Sequence, residues 1–345
     1  MQLDEITIMR PILICIFLVG YHSFAPWGGV WDMPEAIKGE DVPTFFWLDK
    51  FLYSFMLETI VFISGYLFAY QKYYLDRKFT LKSLIQNKLK RLIIPSVVFS
   101  VLYSFVSYKS DFELVQYLYD VICGLGHLWF LPMLFWCFVM TYFLEEIKVN
   151  YWIKMAILFV LSVAINGHEN ELPLRLGYVC YYLFYFYLAF GIFNHRADII
   201  KRLSKSYKVW IVLAFYAFTF VAFSLITNNP LNTESNISFV FYKGLCHVSN
   251  VVYSTIGMLA FYLIVNHFLH NGSSPSRILI WLNPLCMGIY IIHNFTLQII
   301  YDHTVFPGLF GTYWLPWVAY VSALFSSVFI SLLLRKTRSG KFLIG

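Results

Sequence analysis

Three histidines and one glutamate lie within stretches of this chain that are otherwise strongly apolar: His22, Glu58, His127 and His293. Ionisable groups in such surroundings are costly to keep, so each is a candidate for chemistry. A neutral imidazole can serve as a base or a proton relay. A carboxyl at the depth of Glu58 needs a cation, a hydrogen-bond partner or a proton, which suggests a functional or site-supporting role. The plain alternative for His22 is an interfacial or packed side chain, and packing is equally open for His127 and His293. A second set is cationic: Arg10, Lys88 and Arg91. Their plain alternative is a topogenic role, with long side chains reaching to a membrane surface.

Counting along the apolar segments sorts these residues into two depths. Arg10 and His22 share the first segment, twelve positions apart, or about 18 Å on a helix rising ~1.5 Å per residue. Glu58 falls in the first two turns of the second segment, His127 opens the fourth, and His293 lies two turns before the end of the ninth. These positions predict a common outer level for His22, Glu58, His127 and His293. Lys88 and Arg91, at the start of the third segment, share the level of Arg10. The expected arrangement is a basic inner mouth beneath a titratable outer layer.

The elements that must hold them are membrane helices. The chain is 59% hydrophobic, 21% aromatic and only 13% charged over 345 residues, a mixture too apolar for an ordinary water-soluble domain. Ten apolar segments begin near Ile6, Phe51, Leu92, Leu128, Tyr151, Leu176, Val209, Val248, Ile278 and Tyr313. Most run roughly 17 to 23 residues, enough to cross ~30 Å of hydrocarbon, and the one from Tyr151 to Ile165 is short. Without bilayer water to satisfy backbone groups these runs must be helical, and they lack the strict alternation of barrel strands. The predicted fold is all-α, a polytopic bundle of about ten transmembrane helices forming one integral membrane domain over residues 1–345. The longest links, around 25 to 50, 109 to 126 and 227 to 247, leave no room for an appended soluble domain. Asn283 and Pro284 should kink or break the ninth helix.

Lys and Arg in short links mark the cytoplasmic side. Lys72, Arg77, Lys78, Lys82, Lys88, Lys90 and Arg91 crowd one link, and Arg196, Lys201, Arg202, Lys205, Lys208, Arg277, Arg335, Lys336, Arg338 and Lys341 fall on the same side in alternate links. The opposite links hold mainly Lys38, Lys50, Lys109, Arg175 and Lys243, beside several acids. Both termini are therefore expected in the cytoplasm. The formal charge of +6 then reflects topology and attraction to anionic lipid, and gives no support to nucleic-acid binding. The first segment carries Arg10 and His22 and lacks a small-residue cleavage site, so it reads as a span rather than a signal peptide. The six cysteines are scattered without a CxxC pair and read as reduced structural thiols. The aromatic run Tyr181, Tyr182, Phe184, Tyr185, Phe186 and Tyr187 reads as packing, with sugar stacking as its alternative. His168, His195, His247, His267, His270 and His303 sit in links or at span ends and read as solvated.

Several local sequences occur in a telling order: Arg10 followed by an apolar run to Tyr21-His22-Ser23, then Phe62-Ile63-Ser64-Gly65-Tyr66, Lys88-Leu89-Lys90-Arg91-Leu92-Ile93-Ile94-Pro95, His127-Leu128-Trp129-Phe130-Leu131, and Gly288-Ile289-Tyr290-Ile291-Ile292-His293. Across most of its length the chain resembles the acyltransferase 3 family of integral membrane acyltransferases. The resemblance implies transfer of an acyl group, usually acetyl, from cytoplasmic acyl-coenzyme A to a hydroxyl of a sugar or glycan. The expected location is a plasma membrane, as in the bacterial inner membrane. The family's Arg and His of the first span map onto Arg10 and His22, and its basic motif onto Lys88 and Arg91. One departure stands out, since eleven residues separate Arg10 from His22 where the family pattern has ten. In a regular helix the extra residue rotates their relative facing by ~100°, which a bulge or a kink after Pro11 would absorb.

On this resemblance the anionic phosphates of coenzyme A need the cations at the inner mouth, and Arg10, Lys88 and Arg91 are expected to grip them. A sugar hydroxyl is too weakly acidic to attack a thioester unaided, so an imidazole is the expected general base, assigned to His22. Glu58 is expected to orient or charge a histidine. His127, His293, Trp129 and Tyr66 are expected on the acceptor side. No metal is called for, and an acyl-histidine intermediate is the alternative route. The rival function is a proton-coupled secondary transporter, in which the same His and Glu residues relay protons and the broken ninth helix lines the substrate site. A non-catalytic glycan-binding or assembly protein would keep the spans without needing the basic mouth.

Overall fold

The computed structural model describes residues 3–40, 42–107, 113–203, 206–228 and 236–345, and Lys109 and Lys205 of the predicted links lie outside them. The protein is all-helical, with no strand among the described residues. Nine described helices are long and apolar enough to cross a membrane, and a tenth, Tyr151–Ile165, is shorter. We number the principal helices α1 (Asp4–Phe24), α2 (Pro43–Tyr74), α3 (Leu81–Ser107), α4 (Gly126–Glu146), α5 (Tyr151–Ile165), α6 (Pro173–Asn194), α7 (Tyr207–Thr227), α8 (Asn236–His270), α9 (Arg277–His303), α10 (Phe306–Leu334) and α11 (Arg338–Ile344). The chain is a multi-pass membrane protein.

The segments predicted as links are more ordered than their composition suggests. Pro43–Tyr53 is already helical, started by a proline at its first turn, and α8 begins at Asn236, well before the predicted span. Leu114–Cys123 is a ten-residue helix whose Leu114, Leu118 and Ile122 share an exposed face at four-residue spacing, the pattern of a helix lying in a membrane interface.

The chain divides into two compact units. The first comprises Met1–Ile6, Leu57–Leu84 and Trp136–Ser274. In it α5 packs on α6, and α8 packs on both α5 and α7. The aromatic run of α6 is buried there as packing: Tyr185 donates to the Val251 carbonyl, and Tyr187 donates to Glu145 at 2.8 Å. Trp210, Phe215, Phe218 and Leu225 of α7 stay exposed, as a lipid-facing helix requires.

The second unit comprises Thr7–Met56, Ile85–Phe135 and Pro275–Gly345. Helix α9 is its hub, in contact with α1, α3, α10 and α11. As the Asn283-Pro284 pair predicts, α9 is interrupted: Arg277–Leu282 gives way to a 3₁₀ turn over Asn283–Leu285 before Cys286–His303 resumes. The Arg335 guanidinium donates to the Pro284 carbonyl at 2.6 Å, the kind of compensation a broken membrane helix needs. The six cysteines form no disulfide among the described residues.

Two π-helical segments bear directly on the predicted site. In α1 the stretch Leu13–Leu18 is π-helical, following Pro11, which cannot donate to the Thr7 carbonyl. Such a turn inserts one residue into a helix, and it lies between Arg10 and His22. In α3 the stretch Leu89–Ile93 is likewise π-helical, ahead of Pro95, which withholds a donor from the Arg91 carbonyl.

Close approach of α9 and α10 depends on Gly288. A Cβ added there would lie 2.3 Å from Ser331 Oγ and 3.2 Å from Ile344 Cδ1. Gly288→Ala is therefore expected to destabilise the protein by about 1–3 kcal/mol, the usual range for overpacking. Thermal unfolding of the purified protein should show a lowered midpoint, and an unchanged midpoint would mean that the two helices separate freely.

Candidate functional site

In the second unit, α1, α4 and α9 bring three imidazoles together. His22 lies in the last turn of the α-helical segment Val19–Phe24, His127 lies in the 3₁₀ turn Gly126–Trp129 that opens α4, and His293 sits in the middle of α9. The ring centroids of His22 and His293 are 4.9 Å apart, those of His127 and His293 5.2 Å, and those of His22 and His127 6.3 Å. His293 is fully buried, His127 nearly so, and His22 is half-buried.

Hydrogen bonds assign the tautomers. His293 Nδ1 faces the carbonyl of Ile289, one turn back in its own helix, at 3.0 Å. A carbonyl only accepts, so in the neutral ring Nδ1 carries the proton and Nε2 is an acceptor. His293 Nε2 lies 2.9 Å from His22 Nδ1, so His22 Nδ1 donates. The lone pair of a neutral His22 is thereby directed to Nε2. This is a base oriented by a second imidazole, the role that a third group plays in nucleophile and base arrangements generally.

His127 is tied on both sides. Its Nε2 donates to the Ile291 carbonyl at 3.0 Å, and its Nδ1 accepts from Asn294 Nδ2 at 3.0 Å. Asn294 also donates to the Tyr103 hydroxyl, which passes its own proton to Gln298 at 3.1 Å. The turn itself is pinned to α3, where Ser100 Oγ accepts from the Leu125 amide and Ser96 Oγ donates to the Leu128 carbonyl. Tyr290 donates to the backbone carbonyl of His127 at 2.5 Å. Gly126 adopts φ +57°, and a Cβ there would meet the Tyr103 ring at 2.6 Å, which keeps the turn against α3. His127 is a fixed member of the cluster rather than a free base.

The aromatic cover of the cluster has no distinct signal in the sequence. The segment after α1 folds back, with the amides of Val30 and Trp31 both bonded to the Ala25 carbonyl. Trp31 stacks over His22 at 5.8 Å with 20° between planes, and meets Tyr301 edge-on at 6.0 Å. Tyr301 in turn donates to the Ser23 carbonyl. Nothing in the local composition distinguishes Trp31 from other interfacial tryptophans. The same holds for Asn294, whose Oδ1 is buried without a hydrogen-bond partner among the described residues.

The remaining predicted residues divide between the units. Trp129 shares the His127 turn and packs edge-on against Phe130. Arg10 is half-buried near Cys286, at the start of the main part of α9. Lys88 immediately precedes the π-helical stretch of α3 and Arg91 lies within it, in electrostatic range of each other, and Arg91 is exposed. These cations belong to the same unit as the three histidines. Glu58 and Tyr66 belong to the first unit. Glu58 accepts from Tyr181 at 3.3 Å rather than from an imidazole, and its Oε2 is buried without a hydrogen-bond partner among the described residues. Tyr66 is fully buried and donates to Glu5 at 3.0 Å. Of the histidines read as solvated, His168, His195, His270 and His303 are exposed.

Compared with known proteins, residues 5–336 match a family model described as an acyltransferase domain. No curated protein and no solved structure matches the chain.

Proposed function

Since the chain belongs to the acyltransferase 3 family, whose model covers nearly all of it, we propose that this membrane acyltransferase moves an acyl group, usually acetyl, from cytoplasmic acyl-coenzyme A to a hydroxyl of a cell-surface glycan or its precursor. The observation that carries the reading is the hydrogen bond from His22 Nδ1 to His293 Nε2 at 2.9 Å. It leaves the half-buried His22 with its basic nitrogen free of that pairing, beside two histidines that are themselves anchored.

In the proposed step His22 Nε2 removes the proton of the acceptor hydroxyl as its oxygen bonds to the thioester carbonyl carbon. The C–S bond breaks, the coenzyme A thiolate leaves, and His22 returns the proton to it. His293 holds His22 in the required tautomer, and His127 with Asn294 fixes the wall of the site. Arg10, Lys88 and Arg91 hold the donor phosphates. The orienting role expected of Glu58 passes in this proposal to His293. Glu58 is assigned a supporting role in the first unit together with Tyr181, and Tyr66 an anchoring role through Glu5. Trp129 remains on the acceptor side. The proposed location is a plasma membrane.

The test is transfer of labelled acetyl from acetyl-coenzyme A to glycan in membranes carrying the protein, followed by mass spectrometry of the glycan. A 2-carbon acyl increment supports the reading. Solute accumulation driven by a proton gradient, with no label transferred, would mark a carrier instead. Within this assay Arg91→Glu is expected to raise the apparent KM for acetyl-coenzyme A about tenfold while kcat changes by less than about twofold, since the interaction is present in ground and transition states alike. An unchanged donor titration would remove Arg91 from the phosphate site.

A further inference from the structure

Helix α11 returns to the inner end of the second unit. Thr337 caps it by accepting from the Gly340 amide at 2.9 Å, and a Cβ on Gly340 would strike the Leu334 carbonyl at 2.0 Å, so the turn between α10 and α11 is tight. Ile344 is buried, its Cδ1 beside Gly288 of α9. On its other flank α11 packs against α3, including the π-helical stretch Leu89–Ile93.

The side-chain charges this brings together are all of one sign. Neither residues 79–95 nor residues 303–345 contain an acid. Lys90, Arg91, Arg338 and Lys341 are all exposed, and none of them forms an ion pair among the described residues. Arg10 lies near Cys286, two residues before the Gly288 that meets Ile344. Packing two cationic segments against one helix end is unfavourable unless an anion joins them.

We propose that α11 forms a second wall of the donor site, with Arg338 and Lys341 adding to Lys90 and Arg91 to bind the 3′-phosphate of the coenzyme A nucleotide. This rests on the acyl-coenzyme A reading above. A phosphomonoester concentrates nearly two charges on one phosphorus, where each phosphorus of the diphosphate bridge carries one, and it is the group best matched to a cluster of separate cations. The cluster sits on α3 and α11, and α11 also contacts α9, the helix that carries His293.

The test compares coenzyme A with 3′-dephospho-coenzyme A as stabilising ligands of the purified full chain, at fixed salt, by thermal unfolding. The wild type should respond to coenzyme A at a concentration about tenfold lower than to the dephospho form. In R338E/K341E that advantage should vanish, while the response to the dephospho form is kept. The neutral pair R338Q/K341Q should fall between them, and it replaces the reversed pair should the latter shift the ligand-free midpoint. Equal coenzyme A responses in wild type and variants overturn the proposal, as does a proportional loss for both ligands. Repeating the assay in nanodiscs with and without phosphatidylglycerol separates a lipid source of phosphate: a variant that loses only lipid stabilisation also overturns it. A wild type that responds to neither nucleotide defeats the donor reading itself.

Discussion

His22→Ala is expected to abolish acyl transfer, with kcat falling by about 10²- to 10⁴-fold, the range for losing a general base. His22 is the half-buried member of the cluster, and the Nδ1 pairing with His293 orients its basic nitrogen. Binding of donor should survive, because the proposed phosphate cations lie elsewhere in the unit. Labelled transfer from acetyl-coenzyme A measures the first quantity, and thermal stabilisation by coenzyme A the second. Full turnover in His22→Ala, in protein that reaches the membrane at normal yield, would remove His22 from the chemistry. Loss of transfer together with loss of coenzyme A response would point to a collapsed bundle instead.

The second large effect is expected at His293, which touches neither nucleotide nor leaving group in the proposed step. His293→Ala removes the acceptor for His22 Nδ1 and frees the Ile289 carbonyl. The His22 ring can then turn or take the other tautomer, and we expect kcat to fall by about 10²-fold, less than for the base itself. His293→Gln keeps both capabilities in one side chain, an amide that can donate to the Ile289 carbonyl and a carbonyl that can accept from His22. It should recover a substantial part of the activity, with KM for the donor unchanged in both variants. Because His293 is fully buried, the alanine variant also leaves a cavity, and the comparison with glutamine separates packing from orientation. Equal activity in His293→Ala and the wild type would show that His22 needs no partner.

Much of the site was legible without coordinates because depth in a membrane helix follows from counting. The distances of His22, His127 and His293 to segment ends put them at one level, and the structure brings the three within ring contact. The Asn283-Pro284 break was legible because proline withdraws a backbone donor wherever it stands. Pro11 announces a local irregularity in the first helix, which is the π-helical turn Leu13–Leu18. The partner of Glu58 was not legible. A carboxyl at the same counted level as three imidazoles invited pairing with one of them, and it bonds Tyr181 instead.

What the sequence alone determined is the set of helices, their approximate levels and the sign of the charge at one end, because the length of an apolar run and the desolvation of backbone and charge are properties of each segment by itself. What only the tertiary structure decided is facing: that His293 lies in hydrogen-bond contact with His22, that Trp31 folds back over it, and that α11 returns to the basic turn of α3. Rotation about a helix axis changes no hydropathy, and contacts between residues as far apart as 22 and 293 follow from how helices pack against one another.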